Sequence, residues 1–296
     1  MNMKTDANEL ITKKYKKRSQ FGDIFHRMKK NKSSVIGMVI VAVIFLIFFA
    51  SLFISYESVT EMNPTNRFSP PSWELPFGAD RTGRNLFLRT LYGTRYSIVI
   101  GFGAAGIATL TGVFLGCIAG YFGGITDDII MRASDILASI PGMLLGMVIV
   151  TVLGQSLRNL IIAVGVTAIP VFLRITRASV LTIKNWEFVE ATRAIGMSNI
   201  RIVFTQILPN GLSPIIVTFT ASLGLSIIVA ASLSFLGFGI PVPRPEWGAL
   251  VSDGRNYIRS APWLTTFPGL FIMITVLAFN LLGDGLRDAL DPRLRR

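Results

Sequence analysis

Cysteine and histidine are almost absent from this chain. Among its 296 residues there is one cysteine, Cys117, inside an apolar run, and one histidine, His26, in a basic arm. No disulfide framework and no CxxC pair can form within the chain. A histidine-based metal site and a Ser/His/Asp triad in the apolar region are excluded too. No catalytic residue, metal or cofactor is therefore expected, and His26 reads as a solvated or headgroup-level side chain. Charge is scarce as well. Charged residues make up 16% of the chain, against about 25% in an ordinary soluble domain. They are bunched, and the apolar runs between them are long enough to cross a bilayer, which takes ~20 residues.

Six such runs are expected to span, and none contains Asp, Glu, Lys, Arg or His. Proton- and ion-coupled carriers and voltage sensors need such groups at membrane depth, so a self-powered carrier is disfavoured. A membrane protease or transferase lacks its acid/base pair. The chain also has no G-x-x-x-x-G-K-[ST] and no Gly-Lys pair, so it builds no P-loop of its own. Energy for uphill movement would have to come from another protein.

What is present is 51% hydrophobic sequence with a mean hydropathy of +0.56. A polar arm of 33 residues with ten Lys/Arg precedes the first uncharged run, 34–55. The arm is long for a signal peptide and no clear A-x-A site follows, so an uncleaved span is expected. Further spans are expected at 96–126, 136–157, 159–173, 213–236 and 260–283. Ile202 to Pro243 is 42 residues without a charge. A straight helix of that length would be roughly 63 Å, twice the hydrocarbon core, so part of it must lie at the interface or fold back.

Six spans put both termini on one side. On that side lie 20 Lys/Arg, against 9 on the other. The excess marks the first side as cytoplasmic. It also accounts for most of the pI of about 10.3 without nucleic acid. The outer segment 77–96, with Arg81, Arg84, Arg89 and Arg95, carries more positive charge than this rule expects. Gly112, Gly116 and Gly120 form two overlapping GxxxG units. They predict close helix packing, within the chain or with a partner.

Between hydrophobic runs on both sides lies "EFVEATRAIGMSNIRIVFTQILPN", Glu187 to Asn210, with four charged residues, one glycine and one proline. Trp186–Ile195 reads as a short amphipathic helix with Glu187, Glu190 and Arg193 on one face. Gly196 frees the backbone to turn. Ser198 is placed to N-cap a second helix, Asn199–Leu208, and Pro209 and Pro214 mark the junction with the next span. Two readings follow from the pattern: a knob for a socket on a soluble partner, or an interfacial loop helix with solvated charges.

Glu190-Ala191-Thr192, Gly196 and Ile207-Leu208-Pro209 resemble the EAA loop of ABC importer permeases, whose pattern is E-A-A, three residues, G, nine residues, I-x-L-P. The departures are Thr192 at the third position and Gln206 at the hydrophobic position before x-L-P. "FGADRTGRNLFLRTLYGTRYSI" (77–98), "GYFGGITDDIIMRASDILASIPGM" (120–143), "SFLGFGIPVPRPEWGALVSDGR" (234–255) and "LLGDGLRDALDPRLR" (281–295) are similar to the C-type subunit of the dipeptide/oligopeptide/nickel permease family. The likeness covers roughly residues 25–296.

The resemblance implies an all-α membrane protein of type I importer architecture. Its parts would be a basic cytoplasmic arm 1–33, a first span 34–55, an extracytoplasmic segment 56–95, a permease core 96–285 with a coupling loop 186–209, and a cytoplasmic tail 286–296. It implies a second, B-type permease subunit, two ABC ATPase subunits and an extracytoplasmic solute-binding protein as partners, in the cell membrane of a prokaryote. Membrane lipid surrounds the spans, and no nucleic acid is expected. Glu187, Glu190, Ala191, Thr192, Arg193, Gly196, Leu208 and Pro209 would form the contact with an ATPase. Peptides are the implied solute, with nickel or another small solute as the variant inside the family. A stand-alone channel or ion-coupled carrier and a membrane scaffold without transport are the alternatives from other classes. Gln155, Ser226, Ser232 and Ser234 are polar groups at or near span edges. Trp247, Trp263 and Tyr257 read as interface-belt aromatics. Asp284, Arg287, Asp288 and Asp291 read as a self-paired helix turn.

Overall fold

The computed structural model describes residues 20–290. Among them there is no strand, only an isolated bridge between Ala79 and Asn85. The helices are α1 (Gln20–Lys30), α2 (Lys32–Ser51), α3 (Tyr56–Thr60), α4 (Leu86–Phe122), α5 (Gly124–Ser139), α6 (Gly142–Leu153) and α7 (Leu157–Ile183). They continue with α8 (Glu187–Ala194), α9 (Asn199–Ile202), α10 (Leu208–Asn210), α11 (Leu212–Phe235), α12 (Trp247–Gly254) and α13 (Trp263–Leu290). Five of them, α2, α4, α7, α11 and α13, are long and apolar enough to cross a membrane. The pair α5 and α6 passes together but is bent by 91°. Counted as one, it brings the crossings to six.

The first and fifth spans lie where the apolar runs put them. In α2, Asn31 caps the start by accepting from the Ser33 and Ser34 amides, and apolar side chains cover the helix all round. In the 42-residue uncharged run, α11 ends at Phe235 and the chain folds back through Gly237, φ +92°. It then packs α12 beside α11 and α13.

The third expected span, 136–157, is not one helix. Pro141 confines Ile140 to extended backbone, φ −90° and ψ 127°, because its ring crowds the preceding residue. The helix stops there, and α6 starts afresh at an angle. The fourth is longer than its uncharged core. α7 runs through Arg174 and Arg177 to Ile183, because both cations meet carboxylates on α5. Arg177 Nε lies 2.6 Å from Asp127 Oδ1 and Arg174 lies 2.8 Å from Asp135. The sixth also runs on, to Leu290, so Asp284, Arg287 and Asp288 belong to α13 itself. No ion pair forms among these three. Asp288 instead accepts from the Asn31 side-chain amide at 3.0 Å, which ties the end of α13 to the start of α2. Asp291 lies outside the described residues.

The glycine stripe is spent inside the chain. A Cβ at Gly116 would stand 2.7 Å from the Leu173 carbonyl oxygen, and one at Gly112 would stand 2.9 Å from the Leu173 amide nitrogen. One at Gly120 would stand 2.8 Å from Val180 Cβ. Three glycines one turn apart thus bring the backbones of α4 and α7 together.

The second span begins at Leu86, ten residues before the expected 96, and so takes in Arg89 and Arg95. The surplus positive charge of segment 77–96 is absorbed locally. Arg84 and Arg89 are buried beside Asp80, at 2.6 and 3.6 Å, and Arg89 also donates to the Val59 carbonyl. Burial pushes the Asp80 carboxyl up, but the Thr82 hydroxyl and the two guanidiniums outweigh it and hold the group below its ordinary value. Arg95 lies over the Tyr92 ring at 3.6 Å and donates to the carbonyls of Ser51 and Ile54. These carbonyls lie at and just past the end of α2, where a cation is favourable,. Trp247 is not an interface aromatic. It is fully buried and donates its indole N–H to the Thr90 carbonyl at 3.0 Å. Glu246 beneath it is also buried and caps α12 by accepting from the Gly248 and Ala249 amides.

Candidate functional site

The segment between α7 and α11 is built by its own turn chemistry. Trp186 holds extended backbone at the N-cap of α8, and Glu187 and Glu190 fall in the first turn, where the helix dipole favours anions. The helix ends in a Schellman motif. The Met197 amide donates to the Thr192 carbonyl at 3.1 Å and the Gly196 amide to the Arg193 carbonyl at 2.9 Å. That closure needs a left-handed residue, and Gly196 supplies it at φ +79°,. Ser198 does occupy the N-cap of α9, yet its side chain accepts no hydrogen bond there.

The second limb is not a single helix over Asn199–Leu208. α9 covers Asn199–Ile202, a π-type stretch follows over Val203–Ile207, and α10 carries Pro209. Pro209 has no N–H to continue the regular ladder, which accounts for the change of register just before it.

One side of this double limb is rooted. Val189, Ile202 and Ile207 are fully buried against Cys117, Val180 and Ile183 of α4 and α7. Tyr121, at the end of α4, holds both limbs. Its hydroxyl pairs with Asn199 Oδ1 at 2.7 Å, and Arg193 lies over its ring at 5.4 Å. Lys184 donates to the Gly120 carbonyl at 2.9 Å. Tyr121 was not legible as a site residue, because it follows the glycine stripe without any motif of its own.

The opposite side is open. Glu187, Glu190, Ala191 and Gly196 are exposed, and neither glutamate has an ion-pair partner among the described residues. Ile195 and Ile200 flank the glycine at 77% and 70% exposure. A Cβ at Gly196 would meet nothing within 4 Å among the described residues. The eight expected residues thus divide. Glu187, Glu190, Ala191 and Gly196 share the open face. Arg193 is exposed but turns back to Tyr121. Thr192 is half-buried and donates to the Val189 carbonyl of its own helix. Leu208 packs into the root, and Pro209 sits at the junction with α11. The result is a small apolar and acidic knob held rigidly at the ends of two spanning helices.

The polar groups near span edges are dispersed. Gln155 donates to the Gly237 carbonyl at 2.7 Å, and Ser226 and Ser234 are buried. Ser232 alone of the four lines an open cleft of about 440 Å³, beside Met143, Ile228, Phe235, Leu236 and Val251.

Residues 112–296 match the family described as "Binding-protein-dependent transport system inner membrane component". Residues 19–71 match the "N-terminal TM domain of oligopeptide transport permease C". The dipeptide transport system permease protein DppC of Alkalihalophilus pseudofirmus is 45% identical over 94% of this chain and 91% of its own length. The oligopeptide transport system permease protein OppC of Bacillus subtilis is 42% identical over 94% and 91%. The glutathione transport system permease protein GsiD of Pectobacterium atrosepticum is 40% identical over 90% and 89%. Among solved structures, the inward-facing MetNI methionine ABC transporter aligns at a TM-score of 0.57 and 19% identity over 70% of this chain and 98% of that one. The fold is thus that of an ABC importer permease. The family match runs through the Glu187–Pro209 knob, the helix α7 that carries it and the Tyr121 that braces it, and the chain belongs to the family of binding-protein-dependent transport system inner membrane components.

Proposed function

We propose that this chain forms half of the path by which an ATP-driven importer takes peptides across the cell membrane of a prokaryote. A B-type permease forms the other half. Two ABC ATPases sit beneath, one of them receiving the 186–209 knob, and an extracytoplasmic solute-binding protein delivers the peptide. The observation that carries the coupling is the knob's two-sidedness. One side is packed on α4 and α7, while the other presents Glu187, Glu190, Ala191 and Gly196, with no ion-pair partner for either glutamate among the described residues. A rooted knob can transmit displacement, whereas a solvated loop would absorb it. Closure of the ATPases would then swing α8 and, through it, the ends of the two spans.

The solute class rests on the relatives. Their names give dipeptides, oligopeptides and glutathione, which share a peptide backbone with charged ends. The deciding experiment is uptake by the reconstituted complex of both permeases, the ATPases and the binding protein. ATP-dependent accumulation of a labelled dipeptide, absent without the binding protein, is expected, and the permease alone should hydrolyse no ATP. Accumulation of nickel but not of peptides would move the solute within the family. Flux without ATP would overturn the importer reading.

A further inference from the structure

The helix α1 is not used by transport as described, and its side chains are arranged for a different contact. Met28 is buried where α1 packs on α13. One turn from it, on the edge of the same apolar side, Phe25 is half exposed, with Lys29 Nζ over its ring at 4.6 Å. His26, Lys29 and Lys30 are exposed. Asn31 then caps α2, and Lys32 opens that membrane-spanning helix. A single residue thus separates α1 from a span, and α1 cannot leave the membrane surface. Arg27, Lys29, Lys30 and Lys32 place four cations within six residues, and none makes an ion pair with a described side chain. Asp288, the acidic side chain facing this corner from α13, is engaged by Asn31. Six further Lys/Arg precede α1 in the sequence.

We infer that α1 and Lys32 form a binding surface for anionic phospholipid. Phe25 enters the boundary of the acyl chains, and the cation held over its ring face sits at the depth of the headgroup phosphates. Arg27, Lys30 and Lys32 extend that contact along the surface. An apolar face bordered by lysines is the form that lies in an interface. Each cation near an anionic surface raises affinity by about fivefold at low salt, and the gain fades as the screening length shortens. Charge alone would leave Phe25 without purpose. Its exposure beside Lys29 favours a lipid surface over a soluble acidic partner.

The test uses the full chain in symmetric phosphatidylcholine vesicles with trace spin-labelled phosphatidylglycerol or spin-labelled phosphatidylcholine. The motionally restricted fraction of each label is measured. The outcome does not depend on which leaflet α1 faces or on the coupling reading. Phosphatidylglycerol should be enriched at least fivefold at low salt, and the enrichment should collapse at high salt. Combined Arg27→Gln, Lys29→Gln, Lys30→Gln and Lys32→Gln should remove the preference, while Arg132→Gln on α5 should keep it. Should the fourfold variant fail to insert, Lys29→Gln with Lys30→Gln should still lower the preference several-fold. Equal restriction of the two labels, or a preference surviving in an inserted variant, overturns the inference. Abolition by millimolar inorganic phosphate at constant ionic strength would also overturn it, by making this a simple anion site.

Discussion

The corner at Gly196 allows the strain of a substitution to be separated from its bulk. At φ +79° any residue with a Cβ is strained, by about 1–2 kcal/mol for an ordinary side chain and less for asparagine. A Cβ there meets nothing within 4 Å among the described residues, so these residues set the same strain for alanine and leucine. Gly196→Asn should therefore be mild, and Gly196→Ala and Gly196→Leu should each lose about 1–2 kcal/mol of local stability, about the strain of one left-handed residue. Any further difference between alanine and leucine must come from outside, where a leucine side chain would stand between the knob and the surface receiving it. The assay is paired measurement of ATPase co-purification and of solute taken up per ATP hydrolysed. Asparagine should support near-normal uptake, alanine reduced uptake, and leucine hydrolysis without uptake or loss of the ATPases. Full assembly and uptake by Gly196→Leu would refute the reasoning, since the knob would then have no socket.

Four shorter predictions accompany it. Tyr121→Phe keeps the ring beneath Arg193 but loses the 2.7 Å bond to Asn199; uptake per ATP should fall while the complex stays assembled. Gly116→Leu overpacks α4 against the α7 backbone and should cost about 1–3 kcal/mol, read as a lower melting temperature, whereas Gly106→Ala meets nothing within 4 Å and should not lower it. Asp80→Asn strands two buried guanidiniums and should cost about 3–5 kcal/mol; because the Asp80 carboxyl lies below its ordinary value, its contribution is complete above the unfolded carboxylate value and is lost as pH falls through the folded one, so the melting difference between wild type and variant should shrink in acid. A reporter active only in the cytoplasm should work when fused after Arg296 and stay silent near Pro70; the reverse would put the knob on the wrong side for an ATPase.

Span existence and the helix–glycine–helix knob were legible because each rests on local chemistry. The runs behind α2 and α11 are uncharged over a membrane's thickness, and the left-handed turn at Gly196 demands the residue found there. The bend between α5 and α6 was not legible. An uncharged run says nothing of direction, and Pro141 could equally have kinked one helix or begun another. The early start of α4 was hidden because Arg89 and Arg95 look like solvated charges until Asp80 and the α2 carbonyls are placed beside them. Trp247 looked like a belt residue for the same reason, since its partner carbonyl lies 157 positions away in sequence. At the knob, sequence spacing picked out the residues but not their division into a rooted side and an open one. That division depends on Tyr121 and the apolar ends of α4 and α7.

The welding of α4 to α7 by three glycines has a mechanical consequence. α4 is one unbroken rod, braced against the knob at Tyr121 and receiving the Trp247 indole at Thr90. Those two points are roughly 46 Å apart along its axis at 1.5 Å per residue. Backbone seated on backbone leaves no slack for the two helices to slide or splay independently. Under the proposed coupling, a push on the knob would pass through this pair undamped. A tilt of about 5° about the rod's middle displaces each end by about 2 Å in opposite senses. Under that coupling, the α12 corner at the far end would be the output arm of a lever whose input is α8.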